Sequence, residues 1–113
     1  MSKDDIKKEI LARLKDINPY KVILFGSVAY GNPDAHSDID LLVVTDDDYL
    51  PKSYNENMKI YLSVSSLLRD LKKMVPIDLI VHTKPMHDAF LNMGSMFSRE
   101  VMQRGEVLYE KDS

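Results

Sequence analysis

Residues 21–45 read KVILFGSVAYGNPDAHSDIDLLVVT. An apolar run, Val22-Ile23-Leu24-Phe25, stops at Gly26-Ser27, and ten residues later Asp38-Ile39-Asp40 leads into a second run, Leu41-Leu42-Val43-Val44. Two buried strands therefore flank a Gly-Ser turn and a pair of carboxylates. Strand side chains alternate with period two, so Asp38 and Asp40 emerge on one face of the second strand. Two carboxylates held together beside apolar strands repel each other unless a cation sits between them. The spacing therefore predicts a metal site. Gly26-Ser27 turns into a short helix around Val28 to Tyr30. Backbone amides at such a turn point at an anion, and glycine lets a phosphate approach the backbone closely.

The rest of the chain reads as alternating helices and strands. Residues 2–17 form an amphipathic helix: Ser2 is its cap, Asp4 and Asp5 lie in its first turn, and Ile6, Ile10, Leu14 and Ile17 line one face. Asn18-Pro19 stops it. The first strand covers Val22 to Phe25 and the second Ile39 to Thr45. If they are neighbours, placing both motifs at one sheet edge makes them antiparallel. Gly31-Asn32-Pro33-Asp34 between them is turn chemistry, and His36 reads as a solvated loop histidine. Asp46-Asp47-Asp48 fall about 20 Å along the strand from Asp40, so they read as a solvated loop and not as further ligands.

A long helix is expected from Glu56 to Val75, with Ile60, Val64, Leu67, Leu71 and Met74, broadened by Tyr61, Leu68 and Val75, as its apolar stripe. Pro76 opens a third strand, Ile77 to His82, on which Ile77, Leu79 and Val81 share one face and Asp78, Ile80 and His82 the other. A carboxylate inside so apolar a strand calls for a partner. If this strand runs parallel to the second, Asp78 lies at the same edge as Asp38 and Asp40, and the long helix is the crossover such a pair requires. Lys84-Pro85 opens a last helix to Arg104, with Met86, Phe90, Met93, Phe97 and Val101 as its core stripe. Leu91 and Met102 project from its other face, a weak hint of a partner surface. Gly105 caps it, and Glu106 to Tyr109 add a short edge strand.

At 113 residues the chain is expected to be one domain, residues 1–113. With 44% apolar and 29% charged residues it has the composition of a globular protein. No apolar run approaches the ~20 residues of a membrane-spanning helix, and the acidic start MSKDDIKKEI lacks a secretory h-region. Zero cysteines exclude disulfides and thiolate metal sites and fit a cytoplasmic protein. A net charge of -3, without a basic stripe, argues against gripping nucleic acid through its phosphates.

Gly26-Ser27, ten residues, then Asp38-x-Asp40 resembles the signature of the DNA polymerase beta-like nucleotidyltransferase superfamily, and more narrowly its minimal nucleotidyltransferase (MNT) domains. Phe25, Tyr30-Gly31, Pro33 and Ser37-Asp38-Ile39-Asp40-Leu41 agree with it. The resemblance implies an α/β (α+β) fold, a small mixed sheet with flanking helices. It implies that Asp38, Asp40 and Asp78 are catalytic and hold two magnesium ions, Asp78 matching the family's third acid on a neighbouring strand. Gly26 and Ser27 would grip the β- and γ-phosphates of a nucleoside triphosphate, ATP by preference, and the reaction would be attack on its α-phosphorus.

Lone MNT domains resemble the antitoxins of HEPN–MNT toxin–antitoxin pairs, some of which transfer AMP to a tyrosine of the partner ribonuclease. The resemblance therefore implies a protein adenylyltransferase working in a hetero-oligomer with a HEPN-domain toxin. Two alternatives stand beside it: a small-molecule nucleotidyltransferase of the aminoglycoside-modifying kind, and an inactive antitoxin that acts by binding alone. One departure bears on phosphate grip. Many MNT antitoxins carry Ala-Arg-Gly where this chain has Ala29-Tyr30-Gly31.

Overall fold

The computed structural model describes residues 2–26 and 39–111. Ser27 to Asp38, which include the short helix expected at Val28 to Tyr30, the turn at Gly31 and His36, lie outside the described residues. Four strands form one mixed sheet in the order β3-β2-β1-β4, with β1 Lys21–Phe25, β2 Ile39–Val44, β3 Ile77–His82 and β4 Glu106–Glu110. β1 pairs antiparallel with β2 and β2 pairs parallel with β3, as the sequence pattern predicts, and β4, expected as an edge strand, pairs antiparallel with β1. Runs of Val, Ile and Leu favour strands because branched side chains pack well on a pleated surface.

Helices cover both faces. On one side lie α1 (Lys3–Leu14), α2 (Tyr54–Ser65) and the short α3 (Arg69–Lys72). Ile6, Ile10 and Leu14 of α1 and Ile60, Val64, Leu68 and Leu71 from the α2–α3 segment meet Val22, Leu24, Ile39, Leu41, Val43, Leu79 and Val81 of the sheet. On the other side lie α4 (Lys84–Asn92) and α5 (Met96–Arg104), over a smaller core of Ile23, Phe25, Leu42, Val44 and Val101.

Local chemistry fixes the helix ends. Ser2 Oγ accepts from the Asp5 N–H at 3.1 Å while the Asp5 carboxylate accepts from the Ser2 N–H at 3.3 Å, a reciprocal box at the start of α1. The first helix is shorter than the stripe predicts. It tightens into a 3-10 turn over Lys15–Ile17, and Asn18 at φ 46° closes it in the left-handed region that asparagine tolerates. Lys7 of α1 reaches Glu106 of β4 at 2.8 Å, and Arg13 forks onto Asp70 of α3 at 2.8 and 2.9 Å.

Both long helices predicted from periodicity are broken. The helix expected over 56–75 is α2, a 3-10 turn at Ser66–Leu68, and α3. Ser65 and Ser66 are weak helix formers, and a turn with three residues per rotation shifts the phase of the stripe. Leu68 and Leu71 of the expected stripe are completely buried, while Met74, also expected in the core, is exposed beyond the end of α3.

The helix expected over 84–104 is α4 and α5. Gly94 adopts φ +60° after α4, and Ser95 caps α5 by accepting from the Ser98 N–H at 3.0 Å. Met93, expected in the core, is therefore exposed, and Phe97 is half-exposed. Leu91 and Met102 do not share one helix, so their common face lapses. Gly105 ends α5 with extended backbone, φ -70° and ψ 152°. A Cβ there would meet the Val101 carbonyl oxygen at 2.2 Å.

The acidic loop after β2 is not wholly solvated: Asp46 pairs with Lys111 at 2.7 Å and Lys84 at 3.3 Å. Those cations hold its carboxyl below the usual range, the Lys111 hydrogen bond foremost. Among the described residues no helix is long and apolar enough to cross a membrane.

Candidate active site

The register of three strands assembles the site. Phe25 at the end of β1 faces Asp40 near the start of β2, and Asp40 faces Asp78 near the start of β3. Facing residues on neighbouring strands share a sheet face at the inter-strand spacing of about 4.8 Å, so the two aspartates stand side by side. Asp40 is half-buried and Asp78, on the edge strand, is exposed. The parallel pairing expected for Asp78 is thus present, and its carboxylate has an acidic neighbour.

Gly26 is required twice over. Its φ of +84° lies where side chains are strained, and a Cβ on it would stand 2.0 Å from Asp40 Oδ2. The Asp40 carboxylate therefore occupies the space that any other residue's side chain would fill.

A cleft of about 250 Å³ opens at this edge. Phe25, Gly26, Asp40, Asp78 and Ile80 form its floor, and Phe97 and Glu100 of α5 form a wall. Glu100 is absent from the sequence-derived site. Its place depends on the break at Gly94, which sets the direction of α5, and no local motif announces it. It also pairs with Arg104, one turn along, at 3.8 Å.

Ser27 and Asp38, the other two residues expected here, lie outside the described residues, as does Tyr30. Among the described residues no group of three or more His, Asp or Glu side chains could hold a metal ion. The donor chemistry still suits a hard divalent cation. Asp40 and Asp78 offer carboxylate oxygens at one edge, and the glycine beside them carries no side chain to block approach.

The same sheet face carries a second polar cluster at its opposite end. His87 of α4 stacks on Phe90 at 6.3 Å between ring centres, and His82 of β3 lies tilted to the same ring at 5.3 Å. His87 is buried, and neither of its ring nitrogens has a hydrogen-bond partner. Burial pushes its pKa down to about 4, with Lys21 and His82 adding to the effect. Burial also lowers His82.

A glycine-hinged strand end thus faces paired strand carboxylates on a small mixed sheet between helices. The chain belongs to the polymerase beta nucleotidyltransferase family, whose model matches residues 7–113. It is 35% identical over 104 residues to the "Putative protein adenylyltransferase" of Methanocaldococcus jannaschii, covering 92% of this chain and 87% of that protein. Among solved structures it resembles a toxin–antitoxin with AMP-PNP, with a TM-score of 0.56 and 22% identity over 94% of this chain and 74% of that one. It also resembles a chain in the complex of the tri-AMPylated HEPN toxin of Shewanella oneidensis with an MNT antitoxin. There the TM-score is 0.50 and the identity 17%, over 97% of this chain and 74% of that one. These structural likenesses establish the fold as α/β, a mixed four-stranded sheet with flanking helices.

Proposed function

We propose that this chain transfers AMP from ATP to a tyrosine hydroxyl of a HEPN-domain partner and acts as the antitoxin of that pair. The observation that carries the chemistry is the register Phe25–Asp40–Asp78 with Gly26 packed against the Asp40 carboxylate. Support for the acceptor comes from the relative's name, a protein adenylyltransferase, and from the AMP-bearing toxin in the second structural relative.

Asp40 and Asp78, with Asp38 two positions earlier in the sequence, would hold magnesium, taken here as two ions. Bound there, the ions would make the attacking hydroxyl more acidic and offset charge on the triphosphate and departing pyrophosphate. Gly26, with no Cβ against the Asp40 carboxylate, would offer its backbone to the phosphates, and Ser27 a hydroxyl donor. Asp78, exposed on its edge strand, takes the proton of the incoming phenol. The phenolic oxygen bonds to the α-phosphorus, the bond from that phosphorus to the bridging oxygen breaks, and pyrophosphate leaves. Net charge and an acid-lined cleft disfavour a polynucleotide acceptor.

The test is to incubate the chain with magnesium, labelled ATP and the product of the adjacent reading frame, then locate added mass. One or more AMP units on a partner tyrosine, lost with Asp40→Asn, is the expected result. A tight complex that silences the partner without added mass would contradict the proposal.

A further inference from the structure

We infer that the exposed face of α5 is the track along which a tyrosine-bearing segment of the protein acceptor reaches the cleft. The inference rests on the protein-acceptor reading above and assigns it a surface. A shallow groove of about 530 Å³ runs along α5, and Phe97 and Glu100 line both this groove and the carboxylate cleft. The groove and the cleft that holds Asp40 and Asp78 therefore adjoin at these two residues. At 1.5 Å per residue the nine residues of α5 span about 13 Å, matching roughly four residues of extended polypeptide.

The lining suits a protein more than other acceptors. Met96 at the head of α5 is 86% exposed, and Phe97 is 44% exposed. Phe97 is nevertheless held on two sides, its ring 5.7 Å from both Phe25 and Phe90 in edge-on contacts. An aromatic fixed in this way is a rigid platform with a free surface, suited to an incoming phenol ring. Arg99 is likewise fixed, its guanidinium donating twice to the Gly94 carbonyl at 2.9 and 3.0 Å. Methionine, aromatic and arginine side chains are the types enriched where proteins meet. Arg99 and Arg104 also line the groove, but at the cleft a polynucleotide would face Glu100, Asp40 and Asp78, all of its own sign, and a small polycation would gain nothing from Met96.

The test measures transfer to the adjacent-frame product as a function of its concentration, for the parent chain, Met96→Asp, Phe97→Leu and Tyr54→Asp. Tyr54 is an exposed aromatic at the start of α2, on the other side of the sheet, and serves as the control. Met96→Asp is expected to raise KM for the acceptor by about tenfold or more, with ATP affinity unchanged. Tyr54→Asp is expected to match the parent. Because Phe97→Leu could disturb packing, Met96→Asp, at a surface position, decides the outcome. An acceptor KM within about twofold of the parent for Met96→Asp, with transfer still proceeding, overturns the inference alone. No protein labelling by the parent chain overturns the underlying reading, and the inference with it.

Discussion

On the side of the sheet facing α1 and α2, the inward residues of β1, β2 and β3 are all aliphatic, and five of them, Val22, Leu24, Ile39, Leu41 and Val43, are 2% exposed or less. On the side facing α4 and α5 the aliphatic core narrows to the middle. Asp40 and Asp78 stand at one end of that face, and His82 and His87 at the other. The contrast separates stability from chemistry within one thin sheet. Under the proposed function the carboxylate pair meets phosphate and cation and so cannot be sealed beneath a helix, which accounts for the shorter core on that face. The opposite face compensates with continuous packing.

Four substitutions probe that division. Asp40→Asn is expected to lower transfer by about a thousandfold or more, roughly 4 kcal/mol of barrier. Its fold should survive, because the change removes repulsion with Asp78; labelling of the partner with AMP and a thermal melt check both halves. Leu41→Ala, on the aliphatic face, is expected to cost about 3 kcal/mol of stability while the folded fraction retains its transfer rate. Denaturant unfolding measures it. Gly26→Ala should do both kinds of harm, because its Cβ would displace the Asp40 carboxylate and its φ is strained. We expect about 1–2 kcal/mol of stability lost together with most transfer activity.

The smallest effect belongs to the histidine end. His87 has a pKa of about 4 when folded and an ordinary value near 6.5 when unfolded. Between those values the unfolded chain binds more protons, so stability rises with pH. The contribution is full above about pH 6.5 and is lost as pH falls toward 4, by on the order of 2 kcal/mol. His87→Leu should flatten this part of the stability profile and leave transfer at neutral pH intact. An unchanged slope would mean that the slope comes from other groups, such as His82.

What the sequence revealed follows from what is local. β1, β2 and β3 announced themselves by short apolar runs, and the parallel placement of β3 followed from one misplaced acid, Asp78, and a helix-length connection. The helix breaks were harder to read. The apolar stripe continues at helical spacing across Ser65-Ser66 and across Gly94-Ser95, so periodicity outvoted the capping residues that end each helix. Glu100 enters the site only because α5 takes its own direction after Gly94. The burial of His87 is a tertiary outcome as well, since nothing in Met86-His87-Asp88 marks the histidine as facing inward.

The most direct measurement is a parallel assay of Asp78→Asn and the parent chain: rate of AMP transfer, ATP affinity, and melting temperature with and without magnesium. Asp78 is exposed on its edge strand, so its substitution reads chemistry with little cost to the core. We predict a transfer rate reduced far more than ATP affinity, with the metal-free melting temperature equal to or above the parent's. Undiminished transfer, or a melting temperature that falls in step with activity, would contradict the assignment of this sheet edge to catalysis.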